Sequence, residues 1–385
     1  MNKALPTHFD LRAAQIDRER LAARLVEKSS QKTPRVAVIG DFCLDKYLYV
    51  YPDLDETSVE TRLIAYQARA RRIFAGAGGT IAGNLSALGA DVSCFGVIGD
   101  DGEGYDLLRA LKRLGADVDG MIATDSIMTA TYMKPMRPRA EAEAGRRQAP
   151  DEGEWIEGNR YDIRNLEPAS QRIVDQLKTK IEGSVSQFDA VVVSDQFPPG
   201  SETLFSSSFR EFLAQTARSN PDVFFLCDSR FFINEYRDAL VKCNANELFD
   251  AFAVGNGGFR KRETTLDSSS ETRETALCEA GVWLAQRNNR PVLVTRGASG
   301  SVLIERGSTG GYNCVSIPSN KVEPPIDICG AGDATNASLA YSRALGFDLI
   351  ESSYLAGVAS SITIKQLGVT GTATVRQILD VLRAK

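Results

Sequence analysis

The chain has 385 residues, a length suited to one large α/β domain or two smaller ones, and its 43% hydrophobic and 25% charged residues can bury a sizeable core. A net charge of -5 argues against nucleic acid as the main partner, although glycine loops and a few cations bind anions whatever the total. The only histidine, His8, sits in a polar leader, which makes His-based catalysis and histidine metal sites poor readings and leaves proton transfer to a carboxylate, Lys, Tyr or Cys.

Seven cysteines are scattered singly with no CxxC pair, the pattern of reduced thiols. The N-terminus lacks an apolar signal region, and no apolar run approaches the ~20 residues of a membrane span. A cytoplasmic protein with no membrane partner is expected.

In chain order, residues 10 to 28 place Leu11, Ala14, Leu21, Ala22 and Leu25 on one side of a helix, predicting an N-terminal helical extension over 1–33 that Ser29 to Pro34 breaks. The main domain, 34–385, starts with the apolar run RVAVIGD (Arg35 to Asp41). Further strand candidates are SCFGVIG (Ser93 to Gly99), AVVVSD (Ala190 to Asp195), VFFLCD (Val223 to Asp228), AFAVG (Ala251 to Gly255) and PVLVTRG (Pro291 to Gly297). Helix-period segments lie between them, among them GEGYDLLRALKRLG, SQRIVDQLKTKIEG and ETRETALCEAGVWLAQR. This alternation predicts an α/β fold with a mostly parallel central sheet and helices on both faces. Ligands then bind at the carboxyl ends of the strands, where Asp41, Asp195 and Asp228 collect. Two stretches break the alternation, 46–74 and 129–166, and their β-type runs predict a small β lid. The charged loop PRAEAEAGRRQAPDEGEWIE between the second pair reads as a solvated excursion.

The segment PPIDICGAGDATNASLAYSRALG (Pro324 to Gly346) carries the strongest chemical signal. Gly330, Ala331 and Gly332 precede a helix pattern expected from Asp333, and a glycine turn opening a helix aims free N–H groups and the positive dipole end at one spot. That spot suits charge developing on a phosphoryl group, and Asp333 stands where a carboxylate can take a proton from a hydroxyl. The plain alternative is that Asp is a good N-cap and glycine permits the turn.

This segment resembles the Asp-Thr-x-Gly-Ala-Gly-Asp signature of the ribokinase-like (PfkB) carbohydrate kinases, with Asp327, Gly330, Ala331, Gly332 and Asp333 matching and Ile328 departing from Thr. The resemblance implies a ribokinase-like fold, Asp333 as catalytic base and the amides of Gly330, Ala331 and Gly332 as an anion hole. It also implies a monovalent-cation site, possible for K⁺, at Asp327. Other matches come in the family's order. CNANELF resembles the Asn-x-x-Glu motif, so Asn244 and Glu247 are expected to organise Mg²⁺ through water, as suits a cation that gives up its waters reluctantly; on its own the motif is a helix start with Glu in the first turn. VTRGASGSVL resembles the nucleotide-side glycine turn, with Thr295, Gly297 and Gly300, and is otherwise an ordinary hairpin turn. GDFCLD gives Asp45 the acceptor-binding role, while Asp41 reads equally well as a cap. GAGGTIAGNLSALGA matches the second signature with Gly76, but has Thr80 where the family commonly places a sugar-binding Asn.

Within the family, GDFCLDKYLY, the SVET stretch, VVVSDQ and the VASSITIKQLG tail resemble the heptose-phosphate kinase domain of ADP-heptose synthesis, and no nucleotidyltransferase-like domain is expected after it. A substrate phosphate would need cations, for which Lys134, Arg160, Arg69, Arg71 and Arg72 are candidates. The expectation is an ATP-dependent kinase that phosphorylates a hydroxyl of a sugar or sugar phosphate, and a homodimer paired through lid strands. Two alternatives stay open: a sugar- or nucleotide-binding regulatory protein without turnover, and a kinase for a nucleoside or vitamin-type alcohol.

Overall fold

The computed structural model describes residues 9–138, 155–165, 167–198, 204–257, 270–308, 310–368 and 370–384. His8 and most of the charged loop after residue 138 lie outside the described residues. The chain starts with strand β1 (Phe9–Ala13) and helix α1 (Arg18–Gln31), not with one helix over 10–28. The Asp17 carboxylate accepts from the Arg20 amide and so fixes the helix start there. Only Leu21, Ala22 and Leu25 of the expected stripe are buried, whereas Leu11 is 41% exposed on an edge strand.

β2 (Arg35–Gly40) is the apolar run expected, and it passes through Asp41 directly into β3 (Phe42–Val50). The short strands β4 (Glu56–Thr57) and β5 (Ile64–Ala65) lead to β6 (Ala68–Ala77), which turns without a loop into α2 (Gly78–Leu88). Next come β7 (Asp91–Gly99), α3 (Gly102–Arg113), β8 (Asp117–Thr124), β9 (Thr131–Pro138), β10 (Trp155–Glu157) and β11 (Tyr161–Ile163). The second half brings α4 (Gln171–Glu182), β12 (Ala190–Asp195), α5 (Ser207–Ser219), β13 (Phe224–Ser229), β14 (Leu240–Asn244) and α6 (Ala245–Gly255). It ends with α7 (Ser270–Asn288), β15 (Val292–Thr295), β16 (Ser301–Arg306), β17 (Tyr312–Ile317), α8 (Ala331–Ala344), α9 (Leu349–Thr363) and α10 (Val375–Arg383).

The run AFAVG is not a strand but the end of α6. A short apolar run fits either state, and here the helix starts earlier, at a capping box in which Asn244 and Glu247 each satisfy the other's backbone N–H.

The main sheet has ten strands in the order β1-β17-β16-β15-β14-β13-β12-β2-β7-β8. It is parallel from β8 to β15; β16 runs antiparallel between β15 and β17, and β1 pairs in parallel with β17 at the edge. Period-2 alternation loads both faces: in β12, Ala190 and Val192 face one apolar cluster with α8 and α9, and Val191 and Val193 face the other with α4 to α7. Each such valine contributes roughly 1.5–3 kcal/mol by its burial. Helices on both faces leave the carboxyl edge of the sheet as the open crevice.

The lid is a second sheet, ordered β10-β9-β3-β6 with β11 also on β9. On one face Lys46 and Arg71 reach α3, pairing with Glu103 at 3.0 Å and Asp106 at 3.5 Å. The opposite face carries Asp45, Tyr47, Phe74 and Lys134. The lid is therefore tied to the main sheet through β3, β6 and α3. No helix of the described residues is long and apolar enough to cross a membrane.

Candidate active site

The three aspartates expected at the sheet edge are all buried there. Asp41 accepts the Gln196 and Phe197 amides at 2.8 and 2.9 Å, while Asp195 accepts from Ser229 and Tyr236 at 2.7 and 2.9 Å. Burial first, then the Asp195 charge, pushes the Asp41 carboxyl up to about 8. These two tie neighbouring strands together. Asp228 faces α8 instead, bonded to Lys242 at 2.7 Å and to the Asn336 amide at 2.5 Å.

α8 opens at Gly330, whose φ of 76° and whose closeness to Thr370 (a Cβ would stand 2.5 Å from Thr370 Cγ2) both require glycine. The helix has no side-chain cap. The Ala331 amide turns back onto the Ile328 carbonyl at 3.2 Å, so it is not one of the free donors. The amides of Gly332 and Asp333 have no partner among the described residues, and they are the first free donors of the helix. Lys242 Nζ lies 3.2 Å from where a Cβ on Gly332 would stand, so a buried ammonium sits beside that helix start. Burial works against its charge, but Asp228 and Glu247 outweigh this and hold its pKa above the ordinary lysine value. Free amides at a helix start beside a buried ammonium form an arrangement that can meet an anion.

Asp333 stands on the first turn of α8. Burial first, then Asp228, raises its carboxyl to about 7, against the opposing effect of Lys242 and Arg230. A carboxylate poised near neutrality suits a general base.

Asp45 and Lys134 meet across the lid: Lys134 Nζ is 2.7 Å from Asp45 Oδ1 and 3.1 Å from the Tyr47 hydroxyl. Gly76 leaves room for this carboxylate, because a Cβ there would stand 2.7 Å from Asp45 Oδ2. Asp45 acts electrostatically on Asp333 and on the Cys329 thiol of the turn before α8, so this end of the lid faces α8. Thr80, in the first turn of α2, lies near the Gly330 turn, its Cγ2 3.6 Å from where a Cβ on Gly330 would be. Arg160 is held by Asp162 at 2.6 and 2.9 Å and stacks on Tyr132, which pairs with Asp45 across the strands. Arg69 lies over Tyr51 and Arg72 over Tyr49, whereas Arg71 is committed to α3.

At the neighbouring strand ends, Asn244 is in register with Thr295. Glu247 bonds the Asn244 amide at 2.8 Å through Oε2, and burial followed by the Asp228 charge raises its carboxyl. The turn after β15 has positive φ at Gly297 and Gly300, and a Cβ at Gly300 would stand 2.1 Å from the Ile317 carbonyl oxygen. Asn244, Thr295 and Gly297 line a cavity of about 660 Å³ together with Arg273, Glu274 and Arg296. Arg296 crosses its wall, donating to Glu274 at 2.9 Å and to Ser316 at 2.9 Å.

Asp327 accepts the Cys329 amide at 2.9 Å and so fixes the turn that leads into α8. Among the described residues there is no cluster of three or more Cys, Asp or Glu side chains able to hold a metal ion directly. Sequence reasoning missed Lys242, Arg230 and Asn336. The run VKCNANELF carried a signal for Lys242, a lone lysine in an otherwise apolar strand two residues before the Asn-x-x-Glu motif.

A family model described as pfkB family carbohydrate kinase matches residues 33–141 and 154–375. A curated protein named bifunctional protein HldE, from Trichlorobacter lovleyi, is 29% identical over 363 residues, covering 92% of this chain. The chain spans 65% of that relative's length, less than two thirds of it. The ribokinase of Cryptococcus neoformans, solved in complex with ADP, superposes with a TM-score of 0.59 at 17% identity, over 90% of this chain and 99% of that one. Phosphofructokinase-2 from Escherichia coli, solved with fructose-6-phosphate, gives a TM-score of 0.61 at 17% identity, over 91% and 98% of the two chains. At these identities the likeness is one of fold, and that fold is ribokinase-like.

Proposed function

The chain belongs to the pfkB family of carbohydrate kinases, and from that footing we propose that it transfers the γ-phosphoryl group of ATP to a hydroxyl of a sugar or sugar phosphate. The observation that carries the reading is Asp333, a carboxylate raised to about 7, on the first turn of an uncapped helix whose free amides lie beside the buried Lys242. In this reading Asp333 takes the proton of the attacking hydroxyl, which Asp45 orients from the lid. The Gly332 and Asp333 amides meet the charge that spreads over the phosphoryl oxygens. The lid excludes water, which would otherwise accept the phosphoryl group. ATP would lie along the strand ends from this corner to the cavity beside Thr295 and Gly297.

Mg²⁺ fits this site only through its waters: Glu247 has one oxygen engaged in the capping box, and Asn244 supplies a neutral oxygen beside it. When bound, it would neutralise phosphate charge. A monovalent cation such as K⁺ at Asp327 would draw on backbone carbonyls, since Ile328 brings no side-chain donor. The sequence resemblance to heptose-phosphate kinase domains puts a heptose phosphate first among acceptors, with Lys134, Arg160 and Arg72 as the nearby cations. We also propose a cytoplasmic homodimer, because β6 is the edge strand of the lid sheet and edges of this kind pair readily. The test is ADP formation from ATP and Mg²⁺ with hexoses, heptoses and their phosphates, with and without K⁺. Acceptor-dependent ADP that disappears in Asp333→Asn supports the reading. Undiminished turnover in that variant ends it.

A further inference from the structure

We propose that Arg230 is a further catalytic residue, a cation that closes on the transferring phosphoryl group from the end of β13. This rests on the kinase reading and adds a group to it. The placement follows from strand register. Asp228 and Lys242 are direct partners on the parallel strands β13 and β14, and both side chains turn to the α8 side, to Asn336 and to Gly332. Side chains alternate along strands, so two residues further on, Arg230 and Asn244 return to that same side. The Arg230 backbone continues the ladder, its N–H donating to the Asp195 carbonyl at 3.0 Å. Arg230 thus emerges between the Asn-x-x-Glu motif and the start of α8.

Its availability is the second point. Lys242 is committed to Asp228 at 2.7 Å, with side chains only 6% and 8% exposed. The exposed Arg230 side chain has no ion pair or hydrogen bond among the described residues, and its charge acts on Asp333 and Glu247 alike. Asp333, Asp228 and Glu247 surround this corner, so a site with only Lys242 would meet an incoming triphosphate with an excess of negative charge. A guanidinium offers several planar donors and keeps its charge at any working pH, which suits a group whose charge spreads over three oxygens.

The test uses the full chain as wild type, Arg230→Lys and Arg230→Ala. In Arg230→Ala, kcat should fall about 10²–10³-fold, the range for losing one preorganised donor, with KM for ATP within about threefold. Added guanidinium should restore part of the rate, and Arg230→Lys should fall between the two. The acid limb of kcat/KM should move to higher pH in Arg230→Ala, because the cation that lowers the Asp333 pKa is gone. Binding of MgADP with aluminium fluoride, a mimic of the transferring group, should weaken about as much as kcat, and binding of MgADP alone much less. Arg230→Ala with kcat within about twofold of wild type overturns the inference and leaves the kinase reading standing wherever Asp333→Asn is inactive. Equal binding of the fluoride complex by wild type and Arg230→Ala overturns it without reference to any acceptor. Absence of ADP with every acceptor in the wild type counts against the kinase reading itself.

Discussion

α2 and α8 both open on a residue with positive φ and without a side-chain cap, Ala77 at 51° and Gly330 at 76°. Each start is flanked by glycines, and the two helix starts meet at Thr80 and Gly330. What lies beneath them differs. The first residues of α2 are buried against the backbone of Asp41 and the rings and methyls of Phe42 and Ala75, and the charged pair beside the turn, Asp45 at Gly76 with its partner Lys134, comes from the lid strands. The start of α8 stands over Lys242 and Asp228, the latter also bonded by Asn336 of the same helix, and carries Asp333. A glycine-opened helix start is therefore a permissive local shape, and the buried charges behind it decide whether it handles phosphate or only shapes a wall.

The contrast can be broken most severely at Asp333. Asp333→Asn should cut kcat by about 10²–10⁴, the usual worth of a positioned base, with nucleotide affinity largely kept. In the wild type, kcat/KM should fall tenfold per unit as pH drops below about 7, because a protonated Asp333 cannot accept a proton. A flat profile from pH 5 to 8 would detach the base from this residue. Next comes the support: Lys242→Met leaves Asp228 buried without its counter-charge and should cost about 3–5 kcal/mol of stability, read by urea unfolding. A loss under 1 kcal/mol would mean Asp228 simply takes up a proton. On the α2 side the same scale should be small. Ala77→Gly places at a glycine-type φ and ψ (51°, -116°) the residue suited to them, and should raise stability by about 1 kcal/mol without touching kcat. The smallest effect is expected at Thr80→Asn, which should change KM for the acceptor by several-fold and kcat little. A large fall in kcat there would make the two helix starts functional equals.

Much of this was legible from residue order. The apolar runs ending in Asp41, Asp195 and Asp228 mark real strand ends, and the glycine turn before Asp333 opens a helix as expected. What could not be read has physical reasons. AFAVG has strand composition, but its state is set upstream by the Asn244–Glu247 capping box. Phe9–Ala13 becomes a strand only because β17 offers it an edge some 300 residues later. The roles of Lys242 and Arg230 depend on which strands lie side by side, and β13 and β14 neighbour each other through register that no local pattern contains. Lys134 was expected to meet a phosphate, yet its nearest partner is the Asp45 carboxylate, a pairing that arises from the parallel contact of β3 with β9. Arg71 faces α3 because alternation along β6 turns it away from its neighbour Arg72.

Asp41 is the single residue between β2 and β3, and its backbone is bonded on both sides, to Ser194 and to Gly78. The lid is thus an outgrowth of a main-sheet strand itself, a stalk of nine residues reaching about 30 Å from its root. A twist of about 10° at that root would sweep the far tip through roughly 5 Å, so small adjustments at the sheet edge are magnified at the rim. Occupancy of the nucleotide end and the grip on the acceptor would then be felt through one mechanical lever.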